Sequence, residues 1–116
     1  MTASFPAPGE EELLDVMNWE EFLTPRKESS YILKVKGDSM QEVGILEGDM
    51  VIVERRAQYK LGQIVVASID GEYTMKFLRT KDGKHYLEPA NKKYKAIFPK
   101  ESLQIEAVVV ALVRKY

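Results

Sequence analysis

The segment Gln63–Arg79, QIVVASIDGEYTMKFLR, governs the architecture that the sequence predicts. Its first half, Gln63–Ile69, is rich in β-branched residues, which favour a strand. Asp70-Gly71 is typical of a two-residue hairpin turn, so this strand is expected to pair with Glu72–Arg79. The second strand carries one lysine, Lys76, in a run that is otherwise mostly apolar.

Segments on both sides of this hairpin predict further short strands. In Tyr31–Lys36 the pattern has a period of two, so Tyr31, Leu33 and Val35 are expected on a buried face and the two lysines in solvent. Together the segments predict a mainly β domain of about seven short strands. The other predicted strands are Met50–Val53, His85–Glu88, Tyr94–Phe98 and Leu103–Val113.

One short helix is expected before the first strand. Asn18 fits an N-cap and Glu21 completes a capping box, which predicts a helix over Trp19–Leu23. Its apolar side chains are expected to pack on the domain; these are Trp19, Phe22 and Leu23.

Composition excludes several classes of function. Lys+Arg 17 against Asp+Glu 18 leaves a net charge of -1, so direct nucleic-acid binding by this chain is not expected. The absence of cysteine excludes disulfides and thiolate metal sites, and fits a reducing cytoplasm. A histidine-based metal site or serine–histidine triad would rest on His85 alone, which is expected at a strand edge. Neither a metal nor a cofactor is predicted.

The N-terminal segment is predicted to be separate from the domain. Pro6, Pro8 and Gly9 disfavour helix, so residues 1–12 are expected to form a flexible arm and residues 13–116 the folded domain. A frayed terminus is the simpler alternative. No apolar run approaches the length that a membrane span needs, and the N-terminus lacks the basic start and apolar stretch of a secretion signal.

Ser39 and Lys76 are the candidate catalytic pair. Ser39 follows a strand that stops at Gly37-Asp38, which presents its hydroxyl at the strand end. A serine hydroxyl needs a base to remove its proton, and lysine serves only when uncharged, which apolar surroundings promote. A Gly-Asp-Ser turn is common, however, and most strand lysines are exposed and inert, so the residues alone leave both interpretations open.

Four segments follow one another in a particular order and spacing: VKGDSM at 35–40, GILEGD at 44–49, GQIVVA at 62–67 and DGEYTMK at 70–76. In that order and spacing they resemble the LexA/UmuD family of self-cleaving serine–lysine peptidases of the bacterial SOS response. The resemblance implies a LexA/signal-peptidase-like fold, with Ser39 as nucleophile and Lys76 as general base. It also implies an oxyanion hole made by the backbone amides of Asp38 and Ser39.

The family cleaves a bond between small residues in its own N-terminal arm, before a Phe-Pro-x-Pro-like run. Here that run is Phe5-Pro6-Ala7-Pro8, which places the matching bond at Ala3–Ser4, with serine where the family usually has glycine. Because only three residues precede this bond, the chain resembles a processed product more than an intact precursor.

The resemblance also implies partners. Family members form homodimers, and the continuously apolar Ala107–Val113 is the candidate interface, unless it is buried on both faces. The implied activator is the RecA filament on single-stranded DNA. The basic cluster Lys92, Lys93 and Lys95 is expected to be a solvated loop.

Two alternatives remain open within this family. The chain could be a processed, UmuD-like accessory subunit of an error-prone translesion polymerase. It could also be the dimerisation and peptidase part of a repressor whose DNA-binding domain is missing. A signal-peptidase-like enzyme is disfavoured because the sequence has no membrane anchor.

Overall fold

The computed structural model describes residues 18–24, 26–56 and 58–116, which form a six-stranded sheet with antiparallel pairing throughout. Helix α1 (Trp19–Leu23) precedes the sheet, so a mainly β fold with one short N-terminal helix is confirmed. The order across the sheet is β1-β2-β6-β3-β4-β5. The strands are β1 (Ser30–Lys34), β2 (Met50–Glu54), β3 (Ile64–Ile69), β4 (Glu72–Lys81), β5 (Lys84–Glu88) and β6 (Leu103–Val113).

The hairpin of β3 and β4 forms as predicted. Asp70 and Gly71 both have positive φ, 49° and 86°, which is the backbone that a two-residue turn with matching twist requires. The turn sets a register in which Val65 pairs with Lys76. The Asp70 carboxylate also accepts hydrogen bonds from the amides of residues 100–102, so the hairpin is fastened to the segment that leads into β6.

Strand β6 lies in the middle of the sheet, between β2 and β3. Its neighbouring residues Ala107 and Val108 belong to different apolar clusters, so the centre of the sheet is covered on both faces. Further along the strand, Val110 is 38% exposed and Leu112 is 41% exposed. The sequence left two interpretations of Ala107–Val113, burial within the chain or an interface with a second copy. The start of the segment is buried within the chain, whereas its end is exposed to solvent.

Strand β1 departs from the predicted burial. Tyr31 and Leu33 are exposed, and of the expected buried face only Val35 is buried. Strand β1 is an edge strand that pairs with β2, and among the described residues neither apolar cluster includes a residue of β1, whereas Val35, just beyond its end, belongs to one of them. Lys34 and Lys36 are exposed, as predicted.

The segment Tyr94–Phe98 was expected to be a strand, and this is wrong. It contributes only an isolated bridge between Ile97 and Leu87, which is why the described sheet has six strands rather than about seven. Tyr94 instead closes a turn onto the carbonyl of Asn91.

Helix α1 begins as predicted, because Asn18 Oδ1 accepts a hydrogen bond from the amide of Glu20 at 2.8 Å. Phe22 does not pack on the domain, since it is 64% exposed. The packing predicted for Trp19, the arm over residues 1–12 and the Ala3–Ser4 bond lie outside what the structure describes. His85 is exposed on β5, the other edge strand, as expected.

The end of the chain is fastened to the loop before β2. Arg114 donates to both carboxylate oxygens of Asp49, at 2.8 and 2.6 Å, and to the carbonyl of Gly44 at 2.7 Å. Asp49 is buried and also accepts the amide of Leu46. The Arg114 guanidinium, helped by that amide, lowers the pKa of Asp49 to about 2.

Candidate active site

Ser39 lies on the loop that follows β1. Gly37 has φ 80°, a left-handed backbone that glycine adopts without strain, and it turns the chain away from the sheet. Met40 is almost completely buried in one of the apolar clusters. The half-buried Ser39 is therefore held between a sharp turn and a core anchor, as its predicted role requires.

Lys76 points into the protein from β4. It is 8% exposed, and its cross-strand neighbour Val65 is fully buried. Its Nζ donates a hydrogen bond to Thr74 Oγ1, and it makes no ion pair with any residue that the structure describes. Because burial disfavours the charged ammonium and no carboxylate compensates, the pKa of Lys76 is lowered.

The structure brings Ser39 and Lys76 to the walls of the same two clefts. One cleft has a volume of about 280 Å³ and a mostly apolar lining that includes Met40, Val66 and Met75. The other, of about 380 Å³, continues past the same two residues towards Tyr94. Within the described residues no hydrogen bond joins Ser39 to Lys76, and the one side-chain partner of the amine there is Thr74 Oγ1.

Residues 90–94, which include part of the basic cluster expected to be a solvated loop, contact the serine loop directly. Asn91 Nδ2 donates to the carbonyl of Asp38 at 2.8 Å, and the amide of Ala90 donates to the carbonyl of Ser39 at 2.7 Å. Tyr94 and Lys93 bind the two oxygens of the Asp38 carboxylate, at 2.6 and 2.7 Å. These two partners lower the pKa of Asp38.

The prediction of a solvated basic loop is therefore only partly right. Lys92, Lys93 and Lys95 are all exposed, but Lys93 forms an ion pair beside the candidate nucleophile. No motif in the sequence marked these contacts. They join residues that are more than fifty positions apart, and turn residues such as Pro89-Ala90-Asn91 indicate only that a strand ends.

The amides proposed as oxyanion donors differ in their surroundings. The Ser39 amide has no hydrogen-bond acceptor among the residues that the structure describes. The Asp38 amide lies close enough to its own carboxylate to help lower the pKa of that group. The Ser39 amide is thus the freer of the two donors.

Other kinds of site find no support in the described part of the chain. It contains no cluster of three side chains suited to bind a metal ion. His85, on β5, lines neither of the two clefts. No described helix has both the length and the apolar character to cross a membrane.

A serine at a loop and a buried lysine without an acidic partner, in one cleft of a β domain, are the side chains that a serine–lysine peptidase site requires. The Peptidase S24-like family model matches residues 1–110, and the chain belongs to this family. The LexA/UmuD-like resemblance is thereby confirmed.

Two kinds of relative match the chain. The LexA repressor of Acidiphilium cryptum (strain JF-5) is 48% identical over 88 residues, which cover 74% of this chain and 38% of the repressor. The LexA repressor of Shewanella piezotolerans is 37% identical over 92 residues, 77% of this chain and 45% of the repressor. Protein SamA of Salmonella typhimurium is 34% identical over 113 residues, 97% of this chain and 79% of that protein. The chain spans less than half the length of these two repressors.

Proposed function

We propose that this chain is a LexA/UmuD-like self-cleaving serine peptidase domain in which Ser39 is the nucleophile and Lys76 the general base. The observation that carries the proposal is the burial of Lys76 in the same cleft as Ser39, without an acidic partner among the described residues. The proposed substrate is the chain's own arm, at the Ala3–Ser4 bond.

The chemistry follows from the two side chains. The uncharged Lys76 amine takes the proton of the Ser39 hydroxyl while Oγ attacks the carbonyl carbon of Ala3. The resulting oxyanion accepts hydrogen bonds from the amides of Ser39 and Asp38. When the C–N bond breaks, Lys76 returns the proton to the leaving amine of Ser4. Water then hydrolyses the acyl-serine, with Lys76 again as base, and releases the carboxylate of Ala3.

The two clefts suit an extended peptide that crosses Ser39 and Lys76. Both clefts are lined by Ser39 and Lys76 and differ in their other walls, so an arm that lies in both would pass the hydroxyl with its scissile bond. Residues 4–13 can span up to roughly 30 Å when extended, which is enough to reach a site on the same domain or on a partner.

Self-cleavage is tested by intact-mass spectrometry of the full chain over a series of increasingly alkaline buffers. Cleavage at Ala3–Ser4 removes Met1–Ala3, and we expect this product to accumulate faster as the pH rises. Ser39→Ala and Lys76→Met should abolish it. Lys81→Met is the matched control, because Lys81 is an exposed lysine of the same strand and should be dispensable. Product formation by either of the first two variants would refute the proposal.

We further propose that the domain works in the cytoplasm as a homodimer in the SOS response, with a RecA–single-stranded-DNA filament as activator. The exposed apolar end of β6 supports a dimer surface. No membrane partner and no direct contact with nucleic acid are proposed.

A second candidate is a non-catalytic, UmuD-like accessory subunit of a translesion polymerase. The match to Protein SamA favours it, because that alignment covers 79% of the relative against 38% for the first repressor. The repressor alternative requires a DNA-binding domain elsewhere in the coding sequence. Co-purification with a polymerase subunit, unaffected by Ser39→Ala, would favour the accessory role.

A further inference from the structure

We infer that Asn91 is a positioning residue that orients the peptide group carrying the Ser39 amide, and so sets the direction of the oxyanion donor. The inference rests on the proposed function, since it concerns the same reaction. It adds a residue that bonds to the loop before Ser39 and not to either side chain of the proposed pair.

The Asn91 side chain is fully engaged. It is 6% exposed, and it donates from Nδ2 to the carbonyl oxygen of Asp38 at 2.8 Å. Its Oδ1 accepts the amide of Lys93 at 3.0 Å. The Asp38 carbonyl can only accept a hydrogen bond and the Lys93 amide can only donate one. The Nδ2 end of the Asn91 side chain therefore has to face Asp38, and the Oδ1 end has to face Lys93. A buried side chain with both ends bonded has little freedom to move.

The geometry of the peptide bond transmits this constraint to Ser39. The carbonyl of Asp38 and the N–H of Ser39 belong to one planar trans peptide group and point in opposite directions. Fixing the carbonyl against Asn91 therefore points the Ser39 N–H away from Asn91. That N–H is the one without an acceptor among the described residues, so it is available to a developing oxyanion.

Neighbouring contacts hold the rest of the loop in place. Ala90 donates to the carbonyl of Ser39 at 2.7 Å, and the carbonyl of Ala90 accepts the amide of Glu42 at 2.8 Å. These bonds locate the backbone on either side of the nucleophile. Tyr94, by contrast, binds the Asp38 carboxylate, which is separated from the peptide plane by rotatable bonds. Tyr94 can fix that side chain but not the Ser39 amide.

Asn91→Asp tests the inference with little change of shape. The carboxylate still accepts the Lys93 amide, but it cannot donate to the Asp38 carbonyl and repels it. We expect the rate of arm cleavage to fall about 100-fold, the scale of losing one oxyanion donor. The midpoint of the pH–rate profile should not move in the uncharged variant Asn91→Ala, which adds no charge near Lys76. Asn18→Asp is the matched control, because it makes the same substitution at an exposed helix N-cap that lines neither cleft, and it should change the rate by less than about threefold.

Asn91→Ala serves as a second variant in case a buried carboxylate prevents folding, and circular dichroism at the assay temperature selects the folded variants. A fluorophosphonate labels a reactive serine, and its phosphoryl oxygen occupies the oxyanion position. The rate at which it labels Ser39 should fall in the Asn91 variants together with the rate of arm cleavage. Folded Asn91 variants that cleave and label within about threefold of the unmodified chain would overturn the inference. So would a shifted pH midpoint in Asn91→Ala, or an equal loss in Asn18→Asp. Inactivity of Ser39→Ala in the same assay tests the proposed function separately.

Discussion

Lys76 is a buried amine that the fold does not compensate with a carboxylate among its described neighbours. Such a group destabilises the folded protein while it carries a proton, because the ammonium ion has lost its hydration. A core selected for stability alone would carry an apolar side chain here. The proposed role of Lys76 as the base for Ser39, which lines the same clefts, would account for this cost.

Lys76→Met should therefore raise the free energy of unfolding at neutral pH, by on the order of 1 kcal/mol. The pKa of Lys76 is lower in the folded chain than its ordinary 10.5, so the unfolded chain binds more protons in the interval between the two values. The free energy of unfolding of the unmodified chain thus rises with pH across that interval. The difference in free energy of unfolding between Lys76→Met and the unmodified chain therefore becomes smaller. Urea unfolding at several pH values measures this, with Lys81→Met as control. A variant less stable at neutral pH would contradict the account.

The pair of Asp49 and Arg114 also predicts that stability rises with pH, but in the acid range. The pKa of Asp49 is about 2 in the folded chain, against an ordinary 3.8. The ionised carboxylate therefore adds to the free energy of unfolding above pH 3.8, and this stabilisation is lost as the pH falls towards 2. Asp49→Asn should lower the unfolding temperature at neutral pH. The difference in unfolding temperature between the variant and the unmodified chain should become smaller in acid. Asp82→Asn changes an exposed carboxylate of the β4–β5 turn and serves as control. An equal difference at both pH extremes would refute this role.

The candidate nucleophile and base could be found from the sequence, whereas the residues that support them could not. Ser39 and Lys76 lie in local patterns, a turn at a strand end and a lysine in an apolar strand. The residues alone left their role open, and the resemblance of four segments to a known family selected the pair. Asn91 and Tyr94 matter only through contacts with Asp38, more than fifty residues away. Nothing in their immediate sequence distinguishes them from ordinary loop residues.

Among the elements, the hairpins were predictable because their turn residues determine the backbone locally. Asp70-Gly71 and Asp82-Gly83 both adopt the positive φ values that such pairs favour. Alternation in Tyr31–Lys36 predicted a strand, but alternation cannot show whether another element covers that strand. For the end of Ala107–Val113, likewise, a continuous run of apolar residues cannot show whether another element of the same chain covers it.

Gly71→Ala tests how far the β3–β4 turn stabilises the strand that carries Lys76. Gly71 has φ 86°, and an added Cβ would meet no atom within 4 Å, so the cost is that of the left-handed backbone alone. We expect the free energy of unfolding to fall by about 1–2 kcal/mol. Gly71→Asn should lose less, because asparagine tolerates this backbone. Urea unfolding compares the two, and equal losses would contradict the explanation.

The whole molecule leaves an apolar surface open at the end of β6. Val110 and Leu112 are exposed on a strand whose earlier residues are buried in the core. Exposed apolar side chains grouped on one strand are suited to contact with a second copy of the chain.

Leu112→Asp should therefore convert the proposed dimer to a monomer, because a carboxylate would have to be buried without a partner in the interface. Light scattering coupled to size-exclusion chromatography measures the mass. Val43→Asp, on an exposed apolar residue of the 3-10 turn before β2, is the matched control and should leave the mass unchanged. A dimer that survives Leu112→Asp, or is lost equally in Val43→Asp, would place the interface elsewhere.

The titration of Lys76 is the most direct test of the whole account. NMR of the chain labelled with ¹³C at lysine Cε follows this amine across the alkaline range, with Lys76→Met identifying its signal. We predict a midpoint below the ordinary 10.5, coincident with the midpoint of the rate of arm cleavage. A Lys76 amine that titrates at or above 10.5, or a cleavage rate that ignores its titration, would contradict the claim that this lysine is the base for Ser39.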